Sequence, residues 1–251
     1  MDLKLTEHMA LVTGASQGIG RAIARRLASE GAQVAVAARR TDLLERLADE
    51  IAADGGKRPS VFAYDLYPEG SGGRLAESVL REVGKIDILV NAAGGSRPLP
   101  FEASSQQWGE GMTLNFTRLR ELTHAMTPAM AKRRFGRIIN VTGTSEPPAF
   151  NAASTAKAAV HAWSKGYSRE FAKHGITTNC LQPGRIRSEQ QDRKYPDEAS
   201  RQAFAAAEIP MGRFGQPEEL ADLAVFLCSP LAGYITGTVI PVDGGMSRFA
   251  F

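Results

Sequence analysis

The stretch that most constrains this chain is Thr13–Gly20, TGASQGIG. An apolar run, Met9–Val12, precedes it, and a helical pattern, Arg21–Glu30, follows. A glycine-rich turn between a strand and a helix lets backbone approach a phosphate closely. The free N–H groups and positive dipole end of the helix face the same point. Gly14, Gly18 and Gly20 supply the turn, and Ser16, Gln17 and Ile19 complete the candidate site. Three glycines alone are a weak signature, since a turn without a ligand carries them too. Between a strand and a helix, near the start of a chain, they predict a dinucleotide site.

The rest of the chain repeats the same alternation. Gln33–Ala38, Ser60–Tyr64, Ile86–Asn91, Arg137–Thr142, Thr177–Leu181 and Thr238–Val242 read as further strands. The first two strands are almost continuously apolar, as strands covered on both faces must be. Helical patterns cover Thr41–Ala53, Arg74–Val83, about Gln106–Arg134, Ala153–His174 and Pro217–Cys228. Strands alternating with helices imply a parallel sheet wound by right-handed crossovers. The predicted fold is α/β: one doubly wound parallel sheet of seven strands, with helices on both faces. No linker or repeat divides residues 1–251, so one domain is expected. Pro183–Pro210 is the least regular stretch, and its 185–210 portion reads as a substrate flap over the strand ends.

Composition excludes several classes. With 30 Lys+Arg against 27 Asp+Glu, the formal charge of +3 is too balanced to imply nucleic acid or an anionic membrane as partner. Cys180 and Cys228 make neither a disulfide framework nor a zinc site, and no metal set is expected. The N-terminus lacks a signal-peptide pattern, and no run reaches membrane-span length, so a cytoplasmic location is expected.

In such sheets the ligand sits beyond the carboxyl ends of the strands. The second strand ends at Ala38, followed by Arg39 and Arg40. No acid stands there to accept from a ribose 2′-hydroxyl or to repel a 2′-phosphate, and a guanidinium binds a phosphate with paired bonds. NADP(H) is therefore expected over NAD(H). Two solvated arginines at a helix start are the alternative, but the dipole disfavours cations there.

With these residues in hand, the chain resembles the short-chain dehydrogenase/reductase family, and within it the 3-oxoacyl-acyl-carrier-protein reductase-like members. The resemblance covers nearly the whole chain and implies a Rossmann-type fold. Thr13–Gly20 matches the family's cofactor loop. Asp65-Leu66 resembles the acid after the third strand that contacts adenine. Asn91-Ala92-Ala93-Gly94 is similar to the family's Asn-Asn-Ala-Gly segment. Trp108–Asn115 matches the spacing to the active-site Asn. Pro183-Gly184, with Ile186 and then Ser188, resembles the turn beside the nicotinamide. Tyr234-Ile-Thr-Gly and Val242-Asp-Gly-Gly match the C-terminal segment of tetrameric members, implying a homotetramer.

The resemblance breaks at the chemical end. The family uses a Tyr as proton donor, four residues before a Lys that also holds the nicotinamide ribose. Lys157 fits the Lys, but Ala153 stands where the Tyr belongs. The position of the family's carbonyl-binding Ser falls on Gly143, and no Tyr lies between Tyr67 and Tyr167. Asn115 and Lys157 remain as catalytic candidates, with Thr144 and Ser145 as possible hydroxyl replacements or simple turn caps. Glu146, before Pro147-Pro148, reads as a positioned acid or a solvated one. Tyr195 reads as an apolar anchor of the flap, and His124 and His161 as structural. Arg97, Arg185 and Arg187 fall near the strand ends and are candidates for an anionic substrate. The reading is an NADP(H)-linked oxidoreductase acting on a small-molecule carbonyl or hydroxyl by an altered mechanism. The alternative is an NADP(H)-binding subunit without turnover.

Overall fold

The structure, a computed structural model, describes residues 1–147 and 149–249. Its strands are β1 (Met9–Thr13), β2 (Gln33–Ala38), β3 (Ser60–Ala63), β4 (Ile88–Asn91), β5 (Gly136–Val141), β6 (Ile176–Pro183) and β7 (Val239–Val242). They form one sheet in the order β3-β2-β1-β4-β5-β6-β7. Every pairing is parallel, including Val12 opposite Val36 and Val90. The order reverses between β1 and β4, and the two crossovers leaving that point open a crevice above the strand ends.

Among the described residues the helices are α1 (Gly18–Ser29), α2 (Thr41–Ala53), α3 (Ser71–Val83), α4 (Ser105–Met112), α5 (Arg118–Arg133), α6 (Ala152–Phe171), α7 (Glu189–Lys194), α8 (Glu198–Glu208) and α9 (Pro217–Cys228). One apolar cluster joins α1, α2 and α9 to one face of the sheet through residues such as Leu27, Leu47 and Val225. A second joins α3 and α5 to the other face through Leu75, Leu122 and Met126. Leu27, Leu47 and Leu122 are fully buried, and truncating any one to Ala costs about 2–5 kcal/mol.

Two local features depart from the sequence reading. The expected helix over 106–134 is interrupted at Thr113–Thr117 by a π turn, with Asn115 inside it. A π turn inserts one residue into the helical ladder and re-aims the side chains beside it, and such turns gather at functional sites. The stretch expected to be irregular carries α7 and α8. Ser188 caps α7 by accepting from the Gln191 amide, and Asp197 caps α8 by accepting from the Ser200 amide. Both caps were present in the sequence as a polar residue three positions before the amide it receives.

Beneath those helices lies a small aromatic core. Tyr195, Phe204 and Phe214 pack mutually, with ring centroids 5.0 to 5.9 Å apart. Ile209 and Ala205 are buried with them. Tyr195 is thus an apolar anchor, in line with its sequence reading.

Candidate active site

The crevice above β1 and β4 is a cleft of about 1280 Å³. Its floor begins where β1 turns into α1. A Cβ on Gly14 would lie 2.7 Å from the Ala92 carbonyl oxygen, and one on Gly20 would lie 2.5 Å from the Gly14 oxygen. Backbone therefore meets backbone on both sides of the turn, and a side chain at either position would push it open. Thr13 Oγ1 fixes the adjoining strand end, donating to Val90 O and accepting from the Ala92 and Ala93 amides. The N-terminus of α1 has no side-chain cap and no acid in its first turn. Its free N–H groups are left for an anion from outside the chain.

At the adenosine end Arg39 is exposed and has no side-chain partner among the described residues, whereas Arg40 bonds Gln17 and faces Glu189 at 3.4 Å. The two arginines expected to act as a pair are therefore divided. Of the two, Arg39 is free of side-chain partners among the described residues, and Arg40 joins the cofactor loop to α7. Asp65 and Leu66 line the same end, and Ala92, Gly94, Pro183, Gly184 and Ile186 line the middle, as expected.

Asn91 corrects the sequence reading. Its carboxamide points into the core, donating to Thr123 Oγ1 at 3.1 Å and Asn140 Oδ1 at 2.9 Å, and it does not line the cleft. Asn115 stands just behind the wall. It is buried, donates to Gly111 O and Gly95 O, and accepts from the Gly95 amide. It holds the Gly94–Gly95 wall against the π turn and in this arrangement positions backbone.

Lys157 reaches the cleft from the second turn of α6. Its Nζ donates to Thr142 O at 2.9 Å. The other two N–H bonds have no partner among the described residues. Its stem lies along Gly143, where a Cβ would stand 3.3 Å from Cδ and 4.0 Å from Nζ. Desolvation brings the ammonium pKa from the ordinary 10.5 down to about 8. One turn on, His161 Nε2 lies 2.8 Å from Thr142 Oγ1. That hydroxyl gives its only proton to Leu181 O, so it accepts from His161 Nε2–H. Burial, then the Lys157 charge, lowers the His161 pKa and favours the neutral ring. His161 thereby braces the strand end that holds Lys157.

Ala153, at the expected Tyr position, lines the cleft with its methyl group. Thr144 lines it too, with Oγ1 accepting from the Glu146 amide. Ser145 does not: it faces the other way and donates to Gln182 Oε1 at 2.9 Å, so it is no candidate for the carbonyl. Glu146 accepts from the backbone amides of Arg248 and Phe249, so its carboxylate binds the C-terminal segment. Pro148 lies outside the described residues. Arg97 and Arg185 line the cleft, but Arg187 turns away to Asp192 at 3.7 Å. Sequence reasoning missed Glu110, Ser154 and Gln191, which also line it. Only Gln191 carried a signal, as the last residue of the Ser188 cap.

Cys180 and Cys228 are free and buried, and burial pushes their thiols up to about 11 and about 12. Among the described residues no group of His, Cys, Asp and Glu could hold a metal ion. None of the described helices is long and apolar enough to cross a membrane.

Comparison with known proteins agrees with this geometry. A family model described as Enoyl-(Acyl carrier protein) reductase matches residues 14–247. The 3-oxoacyl-acyl-carrier-protein reductase FabG of Aquifex aeolicus is 37% identical, over 98% of this chain and 100% of its own length. The solved structure of YwfH, an NADPH-dependent reductase involved in bacilysin biosynthesis, superposes with a TM-score of 0.92. It is 32% identical, over 96% of this chain and 99% of its own. L-sorbose reductase of Gluconobacter frateurii, solved with NADPH and L-sorbose, gives 0.92 at 32% identity, over 99% of this chain and 100% of its own. Fold, glycine cradle and full-length similarity agree: the chain belongs to the short-chain dehydrogenase/reductase family of NAD(P)-dependent oxidoreductases.

Proposed function

We propose that this protein is an NADP(H)-linked oxidoreductase of a small carbonyl or hydroxyl compound, with Lys157 Nζ as the proton donor in place of the family's Tyr. The observation that carries it is the lysine itself: a desolvated ammonium with pKa about 8, open to the cleft beside two positions stripped of side-chain hydroxyls. A general acid works best when its pKa lies near the operating pH.

The residues present fit the cofactor. The glycine cradle and uncapped α1 N-terminus suit a pyrophosphate, and unpartnered Arg39 suits a 2′-phosphate. The preference for NADP(H) also draws on the relatives solved with it. When bound, NADP(H) supplies or accepts the hydride. Lys157 holds a proton toward the substrate oxygen and, after giving it up, recovers one from solvent. Asn115 keeps the Gly94–Gly95 wall in register, and Thr142 O keeps the ammonium in place. The segment over 185–210 acts as the substrate flap, anchored by Tyr195.

A homotetramer in the cytoplasm accompanies this reading. Leu231, Tyr234 and Ile235 are exposed near the edge strand β7, an arrangement suited to a second copy. Light scattering at four times 27.0 kDa is the expected result.

The test of function is NADPH oxidation against a panel of ketones, aldehydes and acyl thioesters. Reduction should fall as pH rises through about 8. Lys157→Arg keeps the charge but cannot release a proton near neutrality, so it should bind NADPH and lose turnover. A fully active Lys157→Arg variant removes lysine as the acid. Tight NADPH binding without turnover on any substrate, reversed by Ala153→Tyr, would instead support the non-catalytic subunit.

A further inference from the structure

Two residues that line the cleft, Arg185 before α7 and Gln191 within it, each hold a buried polar atom without a partner among the described residues. Arg185 Nε and Gln191 Oε1 have no hydrogen-bond partner among the described residues. Both side chains line the cleft. Native proteins rarely leave such atoms unpaired, because each loses its water and gains nothing in return.

Arg185 is held in place rather than loose. Its carbonyl accepts from the Gly215 amide, the Arg187 amide donates back to Gly215 O, and its guanidinium lies 5.1 Å over the Phe204 ring. The acids of α7 and α8 are engaged elsewhere. Asp192 faces Arg187 and Arg201, Glu198 pairs with Arg201, Glu189 faces Arg40, and Glu208 faces Arg248. No carboxylate of the described residues lies within ion-pair distance of Arg185. A fixed, half-buried guanidinium without a counter-ion among the described residues, on the same cleft as an amide oxygen that also lacks a partner, suits a planar anion carrying a polar group.

We infer that the substrate is a small oxo acid or its hydroxy-acid counterpart, whose carboxylate docks on the Arg185 guanidinium while Gln191 bonds an adjacent oxygen. The Gln191 amide can turn to offer either its oxygen or its nitrogen, so it accepts from a hydroxyl or donates to a carbonyl. This inference rests on the cleft being a substrate site. It adds the charge of the substrate and the residue that reads it.

The experiment separates charge from the ketone. Protein saturated with NADP⁺ is titrated by calorimetry with 2-oxobutanoate, acetoacetate and 4-oxopentanoate, and with the methyl ester of each. The three acids vary the spacing between carbonyl and carboxylate. At least one acid should bind about tenfold or more tighter than its ester, as a charge-assisted bidentate contact implies. Arg185→Gln should erase that difference, Arg185→Lys should retain part of it, and Arg187→Gln should leave it unchanged. Absence of any acid-over-ester preference in the wild-type protein overturns the inference without recourse to a variant. So does Arg185→Gln weakening NADPH itself, since the guanidinium would then serve the cofactor. Acid-selective binding without NADPH oxidation keeps the Arg185 carboxylate site but overturns its occupant as a substrate, and with it the proposed turnover.

Discussion

Replacing Lys157 with Met should make the cofactor-free protein more stable at neutral pH while abolishing reduction. The fall of the lysine pKa from 10.5 to about 8 is a cost of holding the charged form in the fold. At about 1.4 kcal/mol per pH unit, that cost is about 3 kcal/mol. Below pH 8 both folded and unfolded chains carry the proton, so the full penalty applies. Between about 8 and 10.5 the folded chain releases it first, and stability from this group rises. Above 10.5 both states are neutral and the penalty is gone. Methionine keeps the stem against Gly143 but leaves Thr142 O without its donor, a loss of about 1 kcal/mol. The net expectation is a gain of about 2 kcal/mol at pH 7, or about 4–8 °C in Tm for a chain of this size. Urea unfolding at pH 7 and at pH 11, at one fixed protein concentration, measures it. The advantage of the variant should vanish or reverse at the higher pH. A variant less stable than wild type at pH 7, or a gain independent of pH, would refute the desolvated ammonium and with it the proposed acid.

Three further outcomes follow from the cleft. Arg39→Ala should weaken NADPH by about 10–100-fold and leave NADH unchanged in fluorescence titration, because only the 2′-phosphate loses a partner. Gly20→Ala would set a Cβ 2.5 Å from the Gly14 oxygen; NADPH affinity should drop by about tenfold or more, since 1.4 kcal/mol of loop displacement suffices. Ala153→Tyr combined with Gly143→Ser should raise kcat by about 10²–10⁴ and shift the basic limb of the pH profile away from 8. Unchanged kcat in that double variant would mean that the cleft no longer holds a carbonyl where a tyrosine could reach it.

Much of the cofactor half was legible because its signals are local. The turn at Gly14–Gly20 and the strand end at Ala38 follow from residues within one loop, whereas Asp65 and Pro183 came from the resemblance to the family, and the strand expected to end at Leu181 runs on to Pro183. Asn91 in the cofactor half, and the chemical half as a whole, were less legible. Asn91 and Ala92 are adjacent, yet one faces Thr123 and Asn140 in the core and the other the cleft. Ser145 and Thr144 divide the same way, because Gln182 on β6 draws the serine hydroxyl aside. Arg185 and Arg187 read alike in sequence, and only Asp192 on α7 distinguishes the paired from the unpaired. The π turn at Asn115 had no periodicity signal, since a single inserted residue does not disturb a pattern averaged over several turns.

The sequence by itself determined the alternating sheet, the glycine cradle, the cation after β2 and an alanine four residues before Lys157. These depend on backbone conformations and side-chain identities that neighbouring residues dictate. Only the tertiary structure decided which side chains face the cleft, how far burial lowers the Lys157 pKa, and that Arg185 Nε and Gln191 Oε1 have no partner among the described residues. Those properties come from atoms brought together across tens or hundreds of residues, where desolvation and hydrogen-bond competition are settled by packing and not by order along the chain.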